Sequence, residues 1–231
     1  MNELQLEATK RYSSGLTFQL EYAWTSSLDD TPTVGAGQDP YNISADRGYT
    51  DGIRRHVFTA AYSYELPFGK GKHFLTNASG LANALVGGWQ LAGITYLRTG
   101  TPFSPTIAVS QPGWRATRPN VVGVGALSRS DRSISRWFDP SAYVLPAPFT
   151  YGNASRNSLF GPGDIVFDVS LLKDFSVLER VKVQLRGEFF NMPNHTNFLN
   201  PATNIAVPSS AGRITSAGDP RQVQLGIKFL F

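Results

Sequence analysis

The sequence contains no cysteine and few charged residues. Without cysteine, a disulfide framework and a cysteine-based zinc site are both excluded. Charged residues make up 16% of the 231 residues, whereas an ordinary soluble domain has about 25%. The net charge of +4 is mild, and the lysines and arginines form no clustered stripe, so no nucleic-acid partner is expected. Aromatic residues reach 12%, and 22 glycines and 15 prolines supply turn positions. This composition is typical of a β-rich chain with little surface charge.

Long apolar runs and catalytic motifs are also missing. The most apolar window, residues 80–97, is interrupted by Asn83, Gln90 and glycines, which makes it a poor transmembrane helix. The three histidines do not have metal-ligand spacing, and no Ser–His–Asp constellation can be nominated (His56, His73, His195). Five aspartates in one connection lack the spacing of a calcium loop, so we expect them to be solvated (Asp29, Asp30, Asp39, Asp46, Asp51). The sequence therefore predicts no enzymatic activity, no metal and no cofactor.

The last eleven residues show the clearest pattern in the chain. Apolar side chains occupy every second position (Val223, Leu225, Ile227, Phe229, Phe231), and mostly polar residues lie between them. An alternation with period two predicts a β-strand with one apolar and one polar face. A soluble domain seldom ends on such a strand, because the strand would be an exposed edge. A transmembrane β-barrel does end this way, since one face meets lipid and the other meets the lumen.

The same alternation recurs along the chain. It predicts seven strands, at residues 2–12, 15–26, 54–66, 88–99, 164–175, 179–191 and 221–231. Most are close to the roughly 9–11 residues that a tilted strand needs to cross a bilayer. Residues 13–15, 67–88 and 176–178 would then connect strands on the inner side, with a short helix expected within 76–85. The long outer connections would be irregular loops at residues 26–52, 100–163 and 192–220. Outer-membrane barrels show this asymmetry. The predicted fold is therefore all-β, an antiparallel transmembrane β-barrel with long extracellular loops.

Charged side chains lie opposite the apolar positions in several of these strands. In a barrel they would face a water-filled lumen, where they could pair across strands. We expect them to build the lumen wall rather than to contact a specific substrate (Glu7, Glu21, Lys182, Arg186, Glu188, Lys228). Aromatic residues near the strand ends on the apolar side, such as Tyr22 and Trp24, are typical of interfacial girdles.

The number of predicted strands is odd, whereas bacterial single-chain barrels have even numbers. The first residues show no basic segment followed by an apolar one, so they do not form a secretory signal. We therefore expect residues 1–231 to be the C-terminal portion of a wider barrel whose other strands precede Met1.

Five stretches resemble the barrels of TonB-dependent outer-membrane receptors, and most closely the Oar-like group, whose full proteins begin with a carboxypeptidase-regulatory-like domain. They are residues 2–30 (NELQLEATKRYSSGLTFQLEYAWTSSLDD), 56–71 (HVFTAAYSYELPFGKG), 87–94 (GGWQLAGI), 186–198 (RGEFFNMPNHTNF) and 222–231 (QVQLGIKFLF). The resemblance implies a barrel of about 22 strands around a plug. It also implies uptake of a scarce nutrient across the bacterial outer membrane with energy from the TonB complex.

Several partners follow from this resemblance. They are outer-membrane lipid, the barrel-assembly machinery acting on the terminal strand, and the remaining strands and plug of the parent chain. The TonB complex would be reached only through an N-terminal part. Residues 1–231 show no plug and no regulatory-like domain, so we expect them not to be transport-competent alone.

Two other functions are compatible with some of these features. One is a non-transporting outer-membrane barrel with a structural or adhesive role. The other is a soluble β-sandwich that serves as a binding module. The low charge content argues against the sandwich, because its outer faces would need ordinary charge density.

Overall fold

The computed structural model describes residues 1–31, 37–108, 117–176 and 182–230. Within these ranges the chain forms one short helix, α1 (Gly80–Val86), two 3-10 turns (Ile43–Asp46 and Pro140–Ala142) and thirteen strands. The strands are β1 (Asn2–Ser13), β2 (Leu16–Ser26), β3 (Leu28–Asp29), β4 (Gly48–Tyr49), β5 (His56–Glu65), β6 (Trp89–Arg98), β7 (Pro102–Phe103), β8 (Asn120–Val121), β9 (Tyr143–Val144), β10 (Leu159–Phe160), β11 (Asp164–Ser176), β12 (Lys182–Phe190) and β13 (Gln222–Leu230).

The seven long strands form one antiparallel sheet in the order β1-β2-β5-β6-β11-β12-β13. Each long strand pairs with the next long strand along the chain, so the sheet is a meander. The prediction of an all-β, antiparallel architecture is therefore confirmed. The sheet is open, because β1 and β13 form its two edges and do not pair with each other.

The β1–β2 hairpin shows how the local sequence determines the strand pairing. Its turn consists of Ser14 and Gly15, with φ angles of 53° and 78°. Two consecutive positive φ angles are typical of a type I′ turn, whose twist matches that of the flanking strands. The turn leads into pairs such as Ala8 with Leu20 and Glu7 with Glu21. This pairing register keeps apolar positions opposite apolar positions.

The apolar positions continue across the sheet on one side, which we call the apolar face. Leu20 of β2 lies opposite Ala60 of β5, and Tyr62 of β5 lies opposite Gly93 of β6. The Tyr62 ring lies over Gly93, where a Cβ atom would come 2.6 Å from the tyrosine hydroxyl. A glycine is therefore needed at this position. The opposite side of the sheet, which we call the polar face, carries the alternate residues.

The connections divide between the two ends of the sheet. Residues 14–15 and 66–88 lie at one end, and the predicted turn at 176–178 falls largely outside the described residues. Helix α1 belongs to the connection 66–88 and overlaps the segment in which a helix is predicted. No helix in the described ranges is long and apolar enough to span a membrane.

The described residues of the three long connections, 27–55, 99–163 and 191–221, lie at the other end and form a single compact unit, which we call the cap. The cap has its own hydrophobic core, formed by Phe103, Phe138, Ala142, Tyr143, Ala154 and Leu159. The cap also contains the short pairs β3–β4, β7–β10 and β8–β9. Bridges between Gly48 and Arg156 and between Thr106 and Asn204 join the three connections. The connections are long, as predicted, and the described residues pack around a core of their own.

Candidate functional site

The polar face of the sheet is concave. A hollow of about 550 Å³ lies on it. Hydroxyl, amide and carboxylate side chains from five strands line this hollow (Thr9, Thr17, Gln19, Ser63, Asp168, Ser170, Glu188). The strand register brings them together, because every second residue of each strand points to this side. Apolar side chains such as Ala61, Ile94 and Phe190 also line the hollow, so it presents polar and apolar groups together.

All six charged residues predicted for the lumen lie on the polar face. Glu7 lies directly opposite Glu21, and the Gln19 amide donates to both carboxylates, at 2.7 Å to Glu21 and 3.4 Å to Glu7. Across the sheet, Lys228 lies opposite Gln184, whose amide donates to Asp174 at 2.8 Å. None of the six charges forms an ion pair within the described ranges. The expected cross-strand ion pairs are therefore not observed there.

The charges are separated by sign across the polar face. Glu7 and Glu21 lie on the first two strands, whereas Lys182, Arg186 and Lys228 lie on the last two. Glu188 is the one acidic member of the six on the β12–β13 side. Because exposed charges attract ligands of opposite sign, the two sides of the face favour different groups.

The polar face continues towards the cap through an ion-pair cluster. Asp164, the first residue of β11, pairs with Arg54 at 2.9 Å and with Arg98 at 3.0 Å. A second hollow of about 400 Å³ begins at Arg98 and Asp164 and reaches Asp168 and Asn191. The Asn191 backbone N–H donates to the Asp168 carboxylate at 2.8 Å. Sequence reasoning did not identify this cluster, because Arg54 lies before β5 and its partner is more than a hundred positions away.

The histidines have local partners. The His195 backbone N–H donates to the Asn191 side chain at 3.0 Å, and its ring Nδ1 lies 3.1 Å from the Asn197 amide oxygen. His56 contacts the Tyr22 hydroxyl at 2.8 Å, and the His73 ring packs edge-on against Phe74. In the described part of the chain, no group of three acidic or histidine side chains has an arrangement that could hold a metal ion.

Buried ion pairs hold the cap together. Asp46 and Arg118 pair with each other, and their side chains are only 2% and 5% exposed. Asp46 also accepts from the Gln38 backbone N–H at 3.0 Å, and Gln38 donates to the Gly152 carbonyl at 2.9 Å. The prediction that these loop aspartates are solvated is therefore wrong for Asp46. Asp29 and Asp51 are partly exposed, but both form ion pairs with the buried Arg156, so they are not free in solvent.

Three groups on the cap have perturbed pKa values. Hydrogen bonds from Ser141, at 2.7 Å from its hydroxyl and 3.1 Å from its backbone N–H, lower the pKa of Asp139. Arg136, 2.9 Å away, acts in the same direction. Burial raises the pKa of Tyr143, and the nearby Asp139 charge adds to the effect. Burial lowers the pKa of Arg156.

The terminal strand β13 is an edge of the sheet and presents apolar side chains. Val223, Leu225, Ile227 and Phe229 lie along its apolar face, and Leu225 is 80% exposed. Phe231 lies outside the described residues. An edge strand with free backbone groups and a row of apolar side chains is a template for pairing with a further strand.

Comparison with known proteins identifies the class. The family described as outer membrane beta barrel domain matches residues 1–224. The chain therefore belongs to this family, and its location is the bacterial outer membrane. The alternative of a soluble β-sandwich is wrong, because the seven long strands form one sheet and the family is a membrane one. No curated protein and no solved structure matches the chain.

Proposed function

We propose that the chain is the strand-and-cap portion of a TonB-dependent receptor of the Oar-like kind, which takes up a scarce nutrient across the outer membrane. The observation that carries the proposal is the concave polar face, which continues from the hollow on the sheet to the ion-pair cluster below the cap. Six charges without ion pairs in the described ranges line this face, as a surface for a polar solute requires. The resemblance of five sequence stretches to such receptors supports the same function.

In this proposal the polar face is part of the lumen wall, and the apolar face contacts lipid. The edges β1 and β13 pair with further strands, and the complete barrel has about 22 strands. The plug and the segment that contacts TonB are supplied by residues other than 1–231. The barrel-assembly machinery recognises β13. No step of the function is enzymatic.

TonB binding tests the proposal directly. The protein as expressed in its native outer membrane is purified in detergent and titrated with the periplasmic domain of TonB in a calorimeter. We expect saturable binding. A plug-free barrel from the same membrane serves as the control and should give no binding signal. Absence of binding by the correctly folded protein would overturn the uptake proposal.

A structural or adhesive barrel is the second candidate, and the compact cap favours it. A cap with its own hydrophobic core and buried ion pairs is a rigid surface that suits contact with other molecules. This candidate predicts that cells lacking the protein lose surface attachment while nutrient uptake is unchanged. Loss of uptake with unchanged attachment would favour the receptor.

A further inference from the structure

A large cleft lies at the outer end of the apolar face, where the sheet meets the cap. Its volume is about 970 Å³. Its floor is the end of the apolar face, formed by Phe58, Leu97 and Ile165, and the last two side chains are exposed. Its cap side carries Arg55, Arg129 and Arg132. We call this feature the rim cleft.

The three arginines are available to an anion. Arg55 is held in place because its guanidinium lies 4.7 Å from the ring centres of both Tyr49 and Phe160. Arg132 is fixed by a hydrogen bond from Nε to the Leu127 carbonyl at 3.0 Å and by its position over the Trp137 ring. Arg129 is exposed and makes no hydrogen bond or ion pair within the described ranges.

No carboxylate within those ranges neutralises these three side chains. Among the residues lining the rim cleft the one acidic group is Asp164, and it already pairs with Arg54 and Arg98 at 2.9 and 3.0 Å. The rim cleft is therefore positively charged on its cap side. Guanidinium groups bind phosphate through two parallel hydrogen bonds. The positive charge therefore favours a phosphate over an uncharged polar group.

The position of the rim cleft indicates the source of the phosphate. The exposed floor continues the apolar face, and a Tyr22–His56 pair with a contact of 2.8 Å lies at the same level. Polar aromatic side chains of this kind lie where hydrocarbon gives way to headgroups. A molecule that fills the rim cleft must therefore offer apolar groups to the floor and an acidic group to the arginines. Basic pockets beside a membrane surface are known to hold acidic lipid headgroups in this way.

We propose that the rim cleft binds the phosphorylated headgroup of an outer-leaflet glycolipid, whose acyl chains lie along the apolar face. The phosphate contacts Arg129 and Arg132, and Arg55 borders the sugar. This proposal goes beyond nutrient uptake and does not depend on it. It requires only that the apolar face meets the lipid of the outer membrane.

Three probes distinguish a lipid site from a free-anion site. Detergent-purified protein, as expressed in its native membrane, is titrated with a bis-phosphorylated bacterial glycolipid, the same glycolipid without its phosphates, and inorganic phosphate. We expect the phosphorylated glycolipid to bind at least about tenfold more tightly than the other two probes. Equal binding of the dephosphorylated glycolipid would overturn the phosphate contact. Equal competition by inorganic phosphate would overturn the lipid assignment.

Arginine-to-glutamine variants test the residues, and the single variants Arg129→Gln and Arg47→Gln remove the same charge. The double variant Arg129→Gln/Arg132→Gln should weaken binding of the phosphorylated glycolipid about tenfold or more. Arg47→Gln removes an exposed cap arginine that does not line the rim cleft, and it should leave binding unchanged. Arg129→Gln alone breaks no contact within the described ranges, so a loss of affinity in this single variant cannot be a folding defect. Unchanged affinity in the double variant would overturn the proposal, whatever the outcome of the TonB titration.

Discussion

Replacing Leu20 by arginine is expected to lower the free energy of unfolding by about 2–4 kcal/mol for protein folded into lipid vesicles. Leu20 lies near the middle of β2 on the apolar face, with Ala8 and Ala60 as its neighbours on the adjacent strands. Neither alanine can pair with a guanidinium. An arginine at this position would therefore place a charge near the centre of the bilayer without a partner, and the hydrocarbon does not solvate it.

Gln19 offers a matched control one position away, because it points to the polar face. Its amide already donates to Glu7 and Glu21. An arginine there would lie between two carboxylates that face each other across β1 and β2. We expect Gln19→Arg to change the free energy of unfolding by less than about 1 kcal/mol, and in the stabilising direction.

Urea titrations of the parent protein and both variants in the same vesicles measure this difference. A large loss for Leu20→Arg with none for Gln19→Arg would establish which face meets lipid. Equal losses at the two positions would show that this assignment is wrong. A larger loss for Gln19→Arg would reverse the faces.

The two faces were predictable because period two is a local property of the chain. Leu20 and Gln19 differ by one position, and that alone assigns them to opposite sides. Lys173 shows where this reasoning fails. Its position places it on the apolar face beside Leu171 and Phe175, yet it is only 3% exposed. Its ammonium group lies over the Trp89 and Phe175 rings, at 5.5 and 4.9 Å from their centres. Trp89 lies opposite Lys173 on the neighbouring strand β6, which is far away in the sequence, so the sequence does not show that this lysine has a cation–π site.

The cap was not predictable for a related reason. Its core residues Phe103, Phe138 and Leu159 lie far apart in sequence and have no common period. Arg118 and Asp46 are 72 positions apart. Local patterns do not encode such pairings, because they arise only when segments far apart in the sequence pack together. The charge of Asp46 predicted that its side chain is exposed to solvent. Its buried partner Arg118 and its hydrogen bonds instead keep the carboxylate inside the cap.

Packing of the cap has a consequence for the candidate site. Two of the three connections that form the cap supply Arg54, Asn191 and Asn197 to the outer end of the polar face. Asn197 also accepts from the Ile165 backbone N–H at 2.8 Å and donates to its carbonyl at 3.0 Å. The cap is therefore fastened to the first residues of β11. Disturbing the cap is expected to change the second hollow on the polar face as well.

Replacing Arg118 by methionine is expected to destabilise the cap by about 3–5 kcal/mol, because it leaves the buried Asp46 carboxylate without its charged partner. Arg118 also donates to the Ala45 carbonyl at 2.8 Å, so the variant loses a second contact between two connections. The exposed pair of Arg136 and Asp139 is the control. Arg136 is 56% exposed, so Arg136→Met should cost at most about 1 kcal/mol.

Hydrogen exchange at the backbone amides of residues 37–39, 41–46 and 117–118 measures the opening free energy of the cap without requiring the whole protein to unfold. Exchange there should accelerate strongly in Arg118→Met and little in Arg136→Met. The double variant Arg118→Met/Asp46→Asn removes the unpaired charge, and an amide can keep part of the contact with the Gln38 backbone N–H. We therefore expect the double variant to be more stable than Arg118→Met alone. If it is equally unstable, the loss comes from packing around Arg118, and the buried charge is not what holds these two connections together.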